Sequence, residues 1–175
     1  VHSVIPQLRT SDQIVIVDDA STDGEFEAVA TYASENFNNA KILRMARNLG
    51  AAGAKNAGIE ASRGSIIVLV DGDDSLPPKS LSRVREAFRK NLEAEIVFGN
   101  FREIDLASGE QWLSSAEMVS DSKGWLDTAK LARHWVLLGS SPFRRSMFNR
   151  IGGYDPRYPK TDDVDFFRKA LVSGA

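Results

Sequence analysis

A chain of 175 residues, 42% hydrophobic and 26% charged, has the size and composition of one ordinary globular domain. Its 22 Lys+Arg against 24 Asp+Glu leave a net charge of −2, without the basic excess that a nucleic-acid partner demands. No apolar run reaches the ~20 residues that span a bilayer, and the lack of cysteine excludes disulfides, thiolate metal sites and thiol nucleophiles. Two histidines, His2 and His134, stand far apart and favour neither a zinc site nor a histidine-dependent triad. Chemistry here must run mainly on carboxylates, and the cysteine-free composition suits a cytoplasmic setting.

Val1, Val4 and Ile5 have helical spacing that Pro6 is expected to stop, as in the last turns of a helix begun upstream. Ile14 to Val17 follows as a strand, its β-branched run suiting burial on both faces. A helix over 25–37, a strand from Lys41 to Met45 and a helix over 51–62 come next. A third strand is expected from Ile66 to Val70. The helix over 78–91 opens on Pro77-Pro78 and shows one face through Leu81, Val84 and Phe88. Glu95 to Phe98 is a fourth strand, after which the pattern loosens into Gly-, Ser- and Asp-containing loops. Helices near 126–138 and 162–174 close the chain, the latter striped by Phe166, Phe167, Ala170 and Leu171 and cut at Ala175. The alternation predicts a single α/β domain with a largely parallel sheet, read as a fragment of a longer one.

Ligands of open α/β sheets bind beyond the carboxyl ends of the strands. The first strand runs into Asp18-Asp19-Ala20-Ser21-Thr22-Asp23-Gly24 and the third into Asp71-Gly72-Asp73-Asp74-Ser75, so both acidic clusters fall at one sheet edge. Helix capping and turn formation would account for either cluster alone, but not for both at equivalent strand ends. Carboxylates gathered there repel one another unless a cation or donors compensate, and hard oxygen ligands favour Mg²⁺ or Mn²⁺. A third cluster, Thr161-Asp162-Asp163-Val164-Asp165, opens the last helix after Gly152-Gly153-Tyr154-Asp155-Pro156 and holds more carboxylates than a cap requires. Between Arg47 and Gly58 the chain is crowded with small residues; Gly50 and Gly53 would let backbone approach a ligand, with Arg47 and Lys55 supplying positive charge. Trp112, Trp125 and Trp135 suit sugar stacking and core packing equally, and Arg144 and Arg145 suit phosphate or a solvated helix face.

These segments together resemble family 2 glycosyltransferases. Val17 to Gly24 is similar to that family's V-D-D-x-S-x-D-G signature, and Asn48 to Gly58 to its N-x-G-x-x-x-A-[RK]-N-x-G segment. Asp71-Gly72-Asp73-Asp74 matches its D-x-D element, and Ile151 to Asp155 followed by Asp162 to Asp165 looks like its G-G-[FY]-D and E-D-x-D pair, with Asp162 standing where Glu is usual. The resemblance implies a GT-A fold, a Rossmann-like αβα sandwich whose first strand and most of its first helix would precede Val1, with further elements after Ala175.

The same resemblance implies an inverting transfer from a nucleotide-sugar donor, most often a UDP-sugar, to a sugar or lipid-linked sugar acceptor in cell-surface polysaccharide or glycolipid synthesis. It assigns the donor to Asp18, Asp19, Ser21, Asn48, Gly50, Lys55 and Asp71, with Asp18 or Asp19 on the uracil or ribose. Mn²⁺ or Mg²⁺ falls to Asp73 or Asp74, the general base to Asp163 and a supporting role to Asp162. No membrane span is expected in this segment, though peripheral association at the cytoplasmic face would suit a lipid-linked acceptor. A phosphatase of the haloacid-dehalogenase type would instead use Asp71 and Asp73 as nucleophile and acid, Lys160 as clamp and Asp162-Asp163 as metal ligands. A non-catalytic nucleotide- or carbohydrate-binding relic is the third reading.

Overall fold

The buried aliphatic run predicted near the N-terminus forms the first rung of a parallel ladder. In the computed structural model, which describes residues 1–131 and 140–174, strand β1 (Ile14–Asp18) pairs with β2 (Ala40–Arg44) in parallel from Ile14↔Ala40 to Asp18↔Arg44. Helix α1 (Glu25–Asn36) makes the crossover that a parallel pair requires. Helix α2 (Gly50–Ala61) then packs against β1 so closely that a Cβ on Gly58 would lie 2.9 Å from Val17 Cγ2. Glycine there is a packing requirement.

The predicted third strand is shorter than its sequence suggests. Strand β3 (Ile66–Ile67) pairs antiparallel with β6 (Phe143–Arg144) through Ile66↔Arg144 and Ile67↔Phe143. The ladder stops after these two pairs; Pro142, just before β6, turns its N and O to the other side, toward Val97, where it has no N–H to give. The fourth predicted strand is likewise reduced to a bridge, Ile96↔Phe143, with Val97 N–H donating to Pro142 O at 2.9 Å. Phe143 and Arg144 thus run antiparallel between two segments that are parallel to each other, so residues 68–71 and 98–100 leave the sheet at the same edge.

Helix α3 (Ser80–Lys90) starts two residues later than expected because Lys79 caps it in a left-handed conformation, φ 69°. The Val1–Ile5 segment is one hydrogen-bonded turn that passes into a short 3₁₀ turn (Ile5–Gln7), with Pro6 inside the turn rather than ending it. After Asn100, where loops were expected, β4 (Phe101–Ile104) and β5 (Gln111–Ser114) form a hairpin. Helix α4 (Thr128–Leu131) covers the start of the helix expected over 126–138; the rest of that stretch, with His134 and Trp135, lies outside the described residues. Helices α5 (Arg145–Ile151) and α6 (Asp162–Val172) complete the chain.

Aromatic packing on α6 holds these elements together. Phe166 and Phe167 are fully buried; Phe166 stacks on Tyr154 at 4.1 Å between centroids and tilts against Phe143 at 4.9 Å. Two arginines anchor the helices to the sheet. Arg145 donates to Gly64 O (2.7 Å), Ile59 O (2.8 Å) and Ser62 Oγ at the C-terminal end of α2. Arg144 donates to Ala94 O and Leu92 O just beyond α3 and lies 4.9 Å over the Phe88 ring. Neither faces a phosphate or a purely solvated surface: each is a cation satisfying the free carbonyls of a helix end. Arg145→Ala should therefore lower unfolding free energy by about 2–3 kcal/mol in urea titrations, since charged donors to backbone carbonyls are each worth more than neutral ones. A loss below 0.5 kcal/mol would show that water replaces the arginine adequately.

Candidate active site

The first acidic cluster is built into the turn after β1. Asp18 is buried; its Oδ1 accepts from Ser21 N–H at 3.0 Å and its Oδ2 lies 3.2 Å from Arg44 Nε, an ion pair rather than a directed hydrogen bond. The Ser21 hydrogen bond, with Arg44 nearby, holds this carboxyl below its ordinary range against the opposing effect of burial. Asp19 Oδ1 accepts from Leu49 N–H at 2.8 Å and so ties the turn to the start of α2. Between them Ala20 is held at φ 62°, a left-handed conformation uncommon outside glycine. In the same region Asn48 Oδ1 accepts from Gly50 N–H at 3.1 Å, and Gly50 at φ 74° faces open space. Gly53 does not: a Cβ there would meet Leu49 Cβ at 2.5 Å, so its smallness serves packing.

The second cluster is a solvent-facing turn. Asp71, Asp73 and Asp74 are all exposed, and Asp74 N–H bonds back to Asp71 O at 3.1 Å. Partial burial, then the charges of Asp71 and Asp73, push the Asp74 carboxyl above its ordinary value. Among the described residues no group of three or more side chains is already arranged around a metal. That fits Mg²⁺ or Mn²⁺, which take one or two protein carboxylates and complete their shell with water and substrate phosphates. Asp73 and Asp74 supply hard oxygen donors without a protein cation to compete.

The third cluster joins α2 to α6. Asn56 makes a reciprocal pair with the backbone of Tyr154: its Nδ2 donates to Tyr154 O at 2.8 Å, and its Oδ1 accepts from Tyr154 N–H at 2.9 Å. Gly153 makes this possible, because at φ 73° an added Cβ would lie 2.9 Å from Asn56 Oδ1 and 3.0 Å from Phe148 Cζ. One residue before Asn56, Lys55 Nζ reaches Asp162 Oδ2 at 2.9 Å, with side chains only 12% and 9% exposed. Lys55 also lies 5.4 Å from the centre of the Tyr154 ring. The sequence put Lys55 beside a ligand; in the structure its partner is another predicted site residue.

Three aspartates occupy the first turn of α6, and they differ. Asp162 is held by Lys55, and Asp165 by Arg168 and Lys169, each at 3.2 Å. Asp163, half-exposed, accepts only from Val164 N–H at 2.8 Å and has no cation partner among the described residues. Lys160, the clamp of the phosphatase reading, is exposed and holds none of these carboxylates. Burial first, then the charges of Asp162, Asp163 and Asp71, push the pKa of the Tyr154 hydroxyl up.

Repulsion at the exposed turn has a consequence for stability. A carboxyl whose pKa is raised by folding favours the fold while protonated, and that contribution is lost as pH rises through the raised pKa. Without divalent metal, Asp74→Asn should therefore raise the melting temperature at pH 7, the gain shrinking as pH falls into the carboxylate range. A lower melting temperature at pH 7 would mean that the Asp74 charge is compensated in the free protein.

Comparison with known proteins agrees with this geometry. Residues 1–152 match the family model described as glycosyl transferase family 2. An uncharacterized glycosyltransferase of Escherichia coli K12, YibD, is 32% identical over 144 residues, covering 77% of this chain and 40% of that protein. Among solved structures, S. aureus TarS 1–349 in complex with UDP-GlcNAc superposes with a TM-score of 0.79 at 16% identity, over 98% of this chain and 48% of that one. The mannosyltransferase PcManGT of Pyrobaculum calidifontis, in complex with GDP-Man and Mn²⁺, gives 0.68 at 20% identity over 93% of this chain and 43% of that one. The chain spans about two fifths of the length of the curated relatives it matches first. The fold is accordingly GT-A, and with a family model matched over most of its length the chain belongs to glycosyltransferase family 2.

Proposed function

We propose that this chain is the donor-binding part of an inverting, metal-dependent glycosyltransferase that moves a sugar from a nucleoside-diphosphate sugar, UDP-linked, to an acceptor hydroxyl. The single observation that carries the reading is the unequal pairing of the aspartates that begin α6: Asp162 and Asp165 are ion-paired, whereas Asp163 is half-exposed and has no cation partner among the described residues. A carboxylate tied to no cation beside a donor site is what a general base needs, because a paired one would be a weaker proton acceptor. Family membership removes the phosphatase alternative.

The roles follow from position. Asp18, Asp19 and Ser21 shape the turn assigned to the nucleoside, Asn48 and Gly50 lie at the start of α2 tied to it, and Asp71 serves the ribose hydroxyls. Asp73 and Asp74 are the ligands for Mn²⁺ or Mg²⁺, which when bound neutralises the charge that develops on the leaving diphosphate. The acceptor oxygen attacks the anomeric carbon opposite the diphosphate as the bond to the diphosphate oxygen breaks, and Asp163 takes the hydroxyl proton. One displacement inverts the carbon without a covalent intermediate, in keeping with a chain that has no cysteine nucleophile. The acceptor is a sugar or lipid-linked sugar of a cell-surface polysaccharide or glycolipid, with the site on the cytoplasmic side. No helix among the described residues is long and apolar enough to cross a membrane.

In the whole protein, Asp163→Asn should reduce transfer by at least about 10²-fold while donor affinity stays within a few-fold, since the base does not touch the diphosphate. Asp73→Ala should remove the Mn²⁺-dependent part of UDP affinity. Steady-state kinetics and calorimetry separate the two. Normal turnover in Asp163→Asn would remove it as the base, and tight UDP binding with no transfer in the unmodified protein would favour the non-catalytic reading.

A further inference from the structure

One buried group has no evident task in the free protein. The Tyr154 side chain is 2% exposed and its hydroxyl makes no hydrogen bond among the described residues. Leaving such a group unpaired carries a desolvation cost that phenylalanine in the same space would avoid. Nor can the ring turn its hydroxyl to solvent, because Asn56 grips the Tyr154 backbone on both sides and Phe166 lies parallel to the ring at 4.1 Å and 7°. The hydroxyl is thus held inside the protein with a proton free to donate, on the ring that the Lys55 ammonium approaches.

Lys55 is the only charged partner of Asp162 among the described residues, and both are largely buried. Stripping a buried carboxylate of its partner is strongly unfavourable, so Lys55 cannot turn to a ligand unless another donor serves Asp162. Tyr154 is adjacent: the Lys55 ammonium lies 5.4 Å from its ring centre, within cation–π range. The Asp162 charge also bears on the hydroxyl more strongly than those of Asp163 and Asp71, and keeps it protonated and able to donate.

Building on the nucleoside-diphosphate reading above, we propose that Lys55 leaves Asp162 for the diphosphate of the donor, and that the Tyr154 hydroxyl then takes its place on Asp162. Tyr154 is a positioning residue. It holds Asp162, and with it the first turn of α6 that carries Asp163, while the lysine is engaged elsewhere.

The test combines Tyr154→Phe and Lys55→Met, singly and together, with urea unfolding of the free protein and calorimetry with UDP and, separately, GDP in the presence of Mn²⁺. Tyr154→Phe alone should leave stability unchanged or raised, yet weaken nucleotide binding by roughly 10-fold or more, as expected for a lost hydrogen bond to a charged group. In the Lys55→Met background the hydroxyl already serves Asp162 in the free state. There Tyr154→Phe should lower stability and change nucleotide affinity less than 2-fold. If Lys55→Met does not fold, Asp162→Ala carries the same logic: with no acceptor to receive the hydroxyl, Tyr154→Phe should leave nucleotide affinity within 2-fold and stability unchanged or raised.

Destabilisation by Tyr154→Phe alone with unchanged affinity would overturn the exchange, as would an undiminished affinity loss in the double variant, which would mean direct contact with the nucleotide. The stability arm needs no nucleotide. If its coupling appears while the unmodified protein binds neither UDP nor GDP, the donor reading has failed and the exchange with it. If nucleotide binds and the coupling is missing, the exchange alone has failed.

Discussion

The junction between α2 and α6 is the constraint on which the site depends. Two adjacent residues make it: Asn56 clasps the Tyr154 backbone and Lys55 pairs with Asp162 across a sequence separation of about a hundred residues. Both contacts are polar and at least partly buried, so each has a strict geometry; a shift of either helix would leave a buried amide or charge without a partner. Gly153 permits the approach, and the stack of Tyr154 on Phe166 continues the junction into the core. What fixes the position of α6 against the sheet thus also fixes the carboxylates at its first turn.

The distribution of cations then divides the acidic residues into two kinds. Asp18 has Arg44, Asp162 has Lys55, and Asp165 has Arg168 and Lys169. The exposed Asp71–Asp74 turn and Asp163 have none among the described residues. Paired carboxylates hold the fold; at the unpaired Asp71–Asp74 turn, partial burial first and then repulsion from Asp71 and Asp73 push the Asp74 carboxyl up. A bound divalent ion and a proton taken from an acceptor would each relieve a different part of that repulsion. Stability given up in the free protein is available as affinity in the complex.

Much of this was legible in the sequence wherever a local pattern carried it. The β-branched run at Ile14, the stripe from Phe166 to Ala170 and the clusters after Val17 and Val70 all advertise their positions within a few residues. What escaped was set by distant partners. The fourth predicted strand is reduced to a bridge where Pro142, far along the chain, accepts from Val97 N–H and has no N–H to return. Arg144 and Arg145 satisfy carbonyls at the ends of helices that lie 50 or more residues before them, and nothing near an arginine announces a remote helix end. The β4–β5 hairpin was missed for a different reason. Ile104, Trp112 and Leu113 are about half exposed or more, so no alternation of buried and solvent-facing residues marks its strands. Within the site, the motif residues were found, but not that Lys55 and Asp162 would hold each other.

The central claim is that the D-x-D turn and the start of α6 form one site around a metal-bound nucleotide. Paramagnetic broadening of backbone amide signals by Mn²⁺ in the presence of UDP tests it most directly. The account predicts selective loss of signals from residues 71–75 and 161–164, together with Lys55, all abolished by excess EDTA. Signals from Thr10 and Asn36–Asn39, at the opposite edge of the β1–β2 ladder, should persist. Broadening confined to residues 71–75, with Lys55 and residues 161–164 untouched, would show that the two acidic clusters do not share a ligand and would contradict the account.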